Sequence, residues 1–108
     1  MHTTAWLQLL VAGALEILMA AALKAADGWT RPVPGALGLA AALGSIFCLT
    51  FALKHLPIGL AYVIWTGIGA VGVTVLGILK FGDAPSLARL ALMAMVVAGI
   101  TGLKLLEA

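Results

Sequence analysis

Four long apolar runs follow one another along the chain, and short segments that contain charges and prolines separate them. The runs cover about residues 5–23, 35–53, 58–79 and 87–106. A helix needs roughly 20 apolar residues, at about 1.5 Å each, to cross about 30 Å of hydrocarbon. A membrane β-barrel would instead show segments of about ten residues with alternating polarity. The pattern therefore predicts an all-α membrane protein, in which residues 1–108 form a single domain of four transmembrane helices per chain.

The connections between the runs are short and contain residues that end or begin helices. Gly28, Pro32 and Pro34 predict a helix stop and a turn after the first run. Pro57 marks a tight connection before the third run, and Ser86 is the predicted N-cap of the fourth. These residues indicate a helix boundary in each of the three connections.

Composition indicates the same class of protein. Hydrophobic residues make up 64% of the 108 residues and charged residues 9%, against about 45–50% and about 25% in soluble domains. A soluble domain would have too apolar a surface with this composition, and a disordered chain needs low hydrophobicity. The net charge of +2 is too small for nucleic-acid binding. Cys48 is the only cysteine, and since the sequence contains no metal-ligand cluster and no nucleophile–base pair, we expect no metal, no cofactor and no enzymatic activity.

The basic residues of the two faces of the membrane differ only slightly in number. Four belong to the face of the first and third connections: Lys24, Arg31, Lys80 and Arg89. Two belong to the other face: Lys54 and Lys104. The positive-inside rule orients a membrane protein by such a difference, and here the difference is small. Insertion in both orientations and a single, mildly preferred orientation are therefore both consistent with the charges.

Glu16 is the one acidic residue deep inside a predicted span, because Asp27, Asp83 and Glu107 fall in connections or at a helix end. An acidic residue at the centre of a membrane-spanning helix costs about 2.5–3.5 kcal/mol on insertion scales, so it is by default a functional-site candidate. The alternative is a protonated Glu16 that only hydrogen-bonds within a helix bundle. A carboxyl group inside a membrane can hold either a proton or an organic cation, and this competition is the minimum requirement for proton-coupled antiport.

The third run places Tyr62 and Trp65 on one helical face, since they are three residues apart. An aromatic ring near a carboxylate suits an organic cation, which would assign both residues to a site with Glu16. The alternative is an interfacial aromatic belt. A belt fits Tyr62 better than Trp65, which lies a full turn deeper in the span. Few other polar residues occur within the runs, and Ser45 is the one near the middle of the second.

Small residues predict where helices approach closely. Residues 67–72 match the GxGxxG dinucleotide fingerprint, but no strand precedes them, so a nucleotide site is excluded. Gly67 and Gly69 instead allow close helix packing or bending, and Gly13 lies on the helical face of Glu16. In the fourth run, small residues recur every three or four positions and predict a helix–helix interface: Ala91, Ala94, Ala98 and Gly102.

One chain of four helices makes a thin bundle around a single carboxyl group. Alternating access commonly uses two halves that are related as inverted repeats, and this sequence shows no convincing internal repeat. A second copy in the opposite orientation would supply the other half. The two Glu16 residues would then face one site and titrate as a coupled pair.

Several stretches make the chain similar to the small multidrug resistance family of proton-coupled exporters. They are Glu16 followed by Leu23-Lys24, then residues 28–31 (GWTR), then residues 56–70 (LPIGLAYVIWTGIGA). The WTGIGA stretch and the terminal GLK of residues 102–104 resemble the guanidinium-exporter branch. The resemblance covers the whole chain. It implies an antiparallel, dual-topology homodimer in the bacterial cytoplasmic (inner) membrane that exports small guanidinium-type cations in exchange for protons.

The resemblance also implies roles for individual residues. Glu16 would bind protons and substrate alternately, while Ser45 and Trp65 would hydrogen-bond and orient it. Tyr62 would close over the site and take part in switching. The third helix would bend in the region of residues 67–69, and the fourth helix would form the dimer.

Met19 departs from the guanidinium-exporter pattern, in which a Trp usually stands one turn after the Glu. Methionine donates no hydrogen bond and adapts its shape, so this site would accept more apolar cations. Three alternatives stay open beside guanidinium export. The first, which Met19 makes less remote, is a polyspecific exporter of lipophilic quaternary ammonium compounds. The others are a non-transporting subunit of a heterodimer of this family and a proton leak or small channel.

Overall fold

The computed structural model describes residues 3–107, which form four α-helices joined by short connections. The helices are α1 Thr3–Ala25, α2 Pro32–Ala52, α3 Ile58–Lys80 and α4 Leu87–Glu107. All four are long and apolar enough to cross a membrane, and no strand occurs within residues 3–107. The prediction of four helical spans is confirmed, and each helix end lies within three residues of the predicted one.

The start of α2 differs from the prediction, because the helix begins at Pro32 and not at residue 35. Pro32 and Pro34 therefore belong to its first turn, although their sequence context predicts a turn outside the helix. The first N–H groups of a helix have no intrahelical acceptor, so a proline loses no hydrogen bond there. The Gly35 N–H already donates to the Arg31 carbonyl at 3.2 Å. The prolines thus start α2 instead of preceding it.

The connections reverse the chain within a few residues. Asp27, Gly28 and Trp29 have φ of 50°, 67° and 72°, and Gly82 after α3 has φ of 76°. The left-handed conformation costs roughly 1–2 kcal/mol at a residue other than glycine. At the start of α4, the Ser86 Oγ accepts the backbone N–H of the third residue beyond it at 3.1 Å. This bond confirms the predicted N-cap.

The four helices form a slab with extents of 43 × 34 × 17 Å, in which α1 is central. α1 packs along α2 and against α3, whereas α2 barely meets α3. The start of α1, the end of α2 and the start of α3 share one core of buried residues: Ala5, Leu9, Ala52, Leu56, Ala61 and Ile64. α1 and α3 therefore begin at the same end of the slab and finish at the other.

α4 lies at the edge of the slab, where its backbone approaches only that of α3. None of its residues from 87 to 106 is buried. The side chains of Val96 and Ile100 lie over Gly67 of α3, and the Lys104 Nζ is 5.2 Å from the centre of a Trp6 ring in α1. These three side chains are four residues apart, so α4 contacts the rest of the chain through one face.

Candidate functional site

The carboxyl group of Glu16 lies against the bare Cα of Gly69, where α1 faces α3. Gly69 is buried and Glu16 is partly buried. A Cβ added at Gly69 would overlap Glu16 Oε1 and would lie 2.6 Å from the carboxyl carbon. Real Cβ atoms essentially never come that close, so only glycine leaves room for the carboxyl group here.

Two further glycines bring α1 and α3 together on either side of this contact. A Cβ at Gly13 would lie 2.5 Å from the Ile68 Cγ2 atom, and a Cβ at Gly72 would overlap the end of Ile17. Each helix thus inserts side chains against bare backbone of the other, which is how small residues allow helices to approach within a membrane. Gly67 faces α4 instead, as described above. The packing role of Gly72 was not predicted, because the sequence shows this glycine only as the last residue of the GxGxxG match, which was excluded as a nucleotide site.

Glu16 has no hydrogen bond or ion pair with any side chain among the described residues. The lysines of the helices lie in their last turns, with Lys24 in α1, Lys80 in α3 and Lys104 in α4. No fixed positive charge therefore neutralises Glu16 at its own depth in this part of the chain. A carboxylate removed from water without a partner is costly, so a proton or a mobile cation is the chemical complement that this group lacks.

Ser45 of α2 forms hydrogen bonds to both α1 and α3, at the level of Ala12, one turn before Glu16 in α1. Its side chain is 1% exposed. The Ser45 Oγ donates to the Ala12 carbonyl at 2.6 Å and accepts the Trp65 Nε1–H at 2.9 Å. In an α-helix the carbonyl of residue 12 also accepts the backbone N–H of residue 16. Ser45 therefore contacts the backbone that holds Glu16, and within the single chain it does not bond the carboxyl group.

Trp65 directs its indole nitrogen into the helix bundle, toward Ser45. A residue of an interfacial belt directs its polar group outward to water instead. Tyr62 packs edge-on against Trp65, with ring centres 5.7 Å apart and an interplanar angle of 63°. The two residues thus share a face as predicted, and Tyr62 is 57% exposed.

The remaining predicted residues are separate from the Glu16 contact. Met19 is partly buried on α1, three residues after Glu16. On α4, the stripe of small residues is exposed throughout: Ala91, Ala94, Ala98 and Gly102. At 3.6 residues per turn, this stripe lies opposite the face of Val96 and Ile100 that contacts α3. A Cβ at Gly102 would meet nothing within 4 Å.

Comparison with known proteins assigns this arrangement to a family. The family model for the Small Multidrug Resistance protein matches residues 4–96. The chain belongs to the small multidrug resistance family. The resemblance drawn from the sequence is thereby confirmed, and with four membrane-spanning helices the chain is a multi-pass protein of the bacterial inner membrane.

Curated members of the small multidrug resistance family match nearly the whole chain. The "Guanidinium exporter" of Yersinia pseudotuberculosis serotype I is 48% identical over 101 residues, which cover 94% of this chain and 97% of that protein. The "Guanidinium exporter" of Citrobacter freundii is 49% identical over 100 residues, which cover 93% of this chain and 95% of that protein. The "Guanidinium exporter" of Proteus vulgaris is 49% identical over 100 residues, with 93% and 96% covered.

Proposed function

We propose that this small multidrug resistance protein exports small guanidinium-type cations in exchange for protons, and that Glu16 holds the proton and the cation alternately. The observation that carries the proposal is the unpaired Glu16 carboxyl group on the bare backbone of Gly69. The names of relatives that are 48–49% identical support guanidinium as the substrate.

The chemistry of guanidinium fits a single carboxyl group. Guanidinium is planar and presents parallel N–H donors, so a carboxylate can accept two hydrogen bonds from it at once. A proton on Glu16 removes the charge and one of these acceptors. The two ligands therefore exclude one another, so proton entry and cation release are coupled. Exchange of this kind couples export to the proton gradient without any further ionisable group in the spans.

The proposed transporter contains two copies of the chain in opposite orientations. Three observations favour a second copy: the slab is only 17 Å thick, α4 contributes no buried residue from 87 to 106, and its small-residue stripe faces away from the chain. An inverted second copy would create the pseudo-symmetry on which alternating access relies. The exposed Tyr62 of each copy would then cover the shared site, and the two Glu16 carboxyl groups would titrate together.

Substrate-evoked current in liposomes tests the proposal. Purified protein is reconstituted, and current is recorded on a solid-supported membrane with guanidinium, an alkylguanidinium and tetramethylammonium. We expect guanidinium current that Glu16→Gln abolishes. Asp27→Asn is the matched control, because it removes a carboxylate from the exposed connection after α1 and is expected to leave the current unchanged.

Two outcomes would favour the alternatives. Current with tetramethylammonium as well as guanidinium would indicate a polyspecific exporter, which the soft Met19 side chain near Glu16 would explain. If a folded dimer gave no current with any of the three cations, this result would contradict transport by this chain alone. It would indicate a subunit that needs a different partner.

A further inference from the structure

A second carboxyl group lies on a second bare glycine of α3. Asp83 follows α3 in the connection to α4, and its side chain folds back over Gly77. A Cβ at Gly77 would overlap Asp83 Oδ2 and would lie 3.1 Å from the carboxyl carbon. This contact repeats the one between Glu16 and Gly69, although the two acids come from different parts of the chain.

The backbone holds Asp83 in this position. The Asp83 N–H and the Phe81 N–H both donate to the Gly77 carbonyl at 3.0 Å. Between them Gly82 has φ of 76°, which turns the chain back toward the helix. These main-chain bonds hold the Asp83 backbone at the end of α3, from which its side chain reaches Gly77.

The two carboxyl contacts lie at different levels of α3. Gly69 and Gly77 are eight residues apart, which corresponds to about 12 Å along the helix and about 80° around it. A cavity of about 160 Å³ is lined by Asp83 and by residues near the ends of α1 and α3. It begins at Ala20 and Val73, each four residues after Glu16 or Gly69 on its own helix. A single water needs about 10–15 Å³ of volume measured in this way, so the cavity has room for several waters or one small planar cation.

The charges around the cavity are mixed. Lys24 lines it from α1, and Lys80 lies in the last turn of α3. Arg89 lines a neighbouring cavity together with Asp83, but its guanidinium donates to the Ala84 carbonyl at 3.1 Å. Among the described residues the Asp83 carboxylate has no ion pair. The C-terminal ends of α1 and α3 add partial negative charge here, which favours a cation.

We infer that Asp83 is an outer binding site for the small planar cation, at the membrane face where α1 and α3 end. The cation occupies Asp83 after it leaves Glu16, or before it reaches Glu16 in the opposite direction. The site is weaker than the inner one, because Lys24 in the same cavity opposes the cation and water screens the exposed carboxylate. This inference rests on the proposed function for the identity of the ligand.

Binding to Asp83 can be measured without transport. In Glu16→Gln protein the inner carboxylate is absent, and guanidinium chloride is titrated while the amide resonances of Gly77 and Asp83 are followed by NMR. Sodium chloride at equal ionic strength is the control. We expect a saturable shift with guanidinium alone, which adding Asp83→Asn removes. If Glu16→Gln does not fold, the same titration compares the wild type with Asp83→Asn. A shift that never saturates, that sodium reproduces, or that survives Asp83→Asn overturns the inference.

Transport measurements provide a second test of the Asp83 site, in protein that retains Glu16. Asp83→Asn should raise the apparent KM for guanidinium about fivefold with little change in kcat, as expected for one screened ion pair. Asp83→Glu should restore most of the loss, because it returns the charge. An unchanged KM, or an equal loss in Asp83→Glu, contradicts the outer site. If the wild type carries no guanidinium current at all, the proposed function fails, whereas the titration still reports on Asp83.

Discussion

Gly69→Ala introduces a methyl group at the place where the Glu16 carboxyl group lies. The new Cβ would be 2.6 Å from the carboxyl carbon, whereas an ordinary contact begins at 3.4 Å. The carboxyl group must therefore move away from α3 or α1 must shift. Overpacking of this kind costs about 1–3 kcal/mol, and alanine returns about 0.5–1 kcal/mol over glycine within a helix. The net loss of stability is modest, so we expect the protein to fold.

The effect on ligand binding should exceed the effect on folding. A misplacement of about 1 Å can reduce the function of a positioned group about 100-fold, so we expect guanidinium affinity to fall between about tenfold and about 100-fold. Isothermal titration of detergent-solubilised protein measures the affinity, and thermal unfolding measures the stability. The current recorded from liposomes should fall in parallel with the affinity.

Gly59→Ala is the matched control for this substitution. Gly59 also belongs to α3, and a Cβ there would meet nothing within 4 Å. The Gly59→Ala substitution brings the same gain in helix propensity as Gly69→Ala, but it does not displace Glu16. Wild-type guanidinium affinity in Gly69→Ala would refute the view that the carboxyl group binds its ligand while it lies on Gly69. An equal loss in both variants would show that the effect does not come from the carboxyl group.

Three further substitutions test contacts between helices. Ser45→Ala leaves the Trp65 indole N–H without its acceptor, so thermal unfolding should show that the free energy of unfolding falls by about 1–3 kcal/mol. Ser45→Thr should recover part of this loss. An unchanged stability in Ser45→Ala would contradict a structural role for the bond. Lys104→Met removes the cation from the Trp6 ring. A double-mutant cycle with Trp6→Leu should give a coupling energy of about 0.5–1 kcal/mol in the stability of the protein. A coupling energy of zero would disprove the contact. Ala98→Leu adds a large side chain to the exposed stripe of small residues on α4, which should hinder a second copy from packing there. Energy transfer between labelled copies in liposomes should therefore fall while helix content stays constant. Unchanged energy transfer would place the dimer contact elsewhere.

Much of this protein follows from local features of the sequence. The lengths and positions of the four helices depend on runs of apolar residues, and the bilayer requires such runs to be helical because it offers the backbone no other hydrogen-bond partner. Glu16 stands out for the same reason, since any acid within such a run is costly. The start of α2 is the exception: a proline signals a boundary, but the sequence does not decide on which side of the boundary it lies.

The contacts of the site required the tertiary structure. Ser45 could be identified as a buried polar residue, but its acceptor is the Ala12 carbonyl, and every residue has a carbonyl. Similarly, the third run contains several glycines, and nothing in their spacing shows that Gly69 faces Glu16 while Gly67 faces α4.

The apolar runs and motifs of the sequence suffice for the number of helices, their bounds to within three residues, the family, and the acid of the candidate site. The rotation of each helix about its axis is settled only in the folded chain. That rotation sets which glycine receives Glu16, which receives Asp83, and which face of α4 stays open. The physical reason is that the bilayer selects helices by hydrophobicity, a property of each run alone. Rotation depends on the close packing of small residues between helices, which involves two parts of the chain at once.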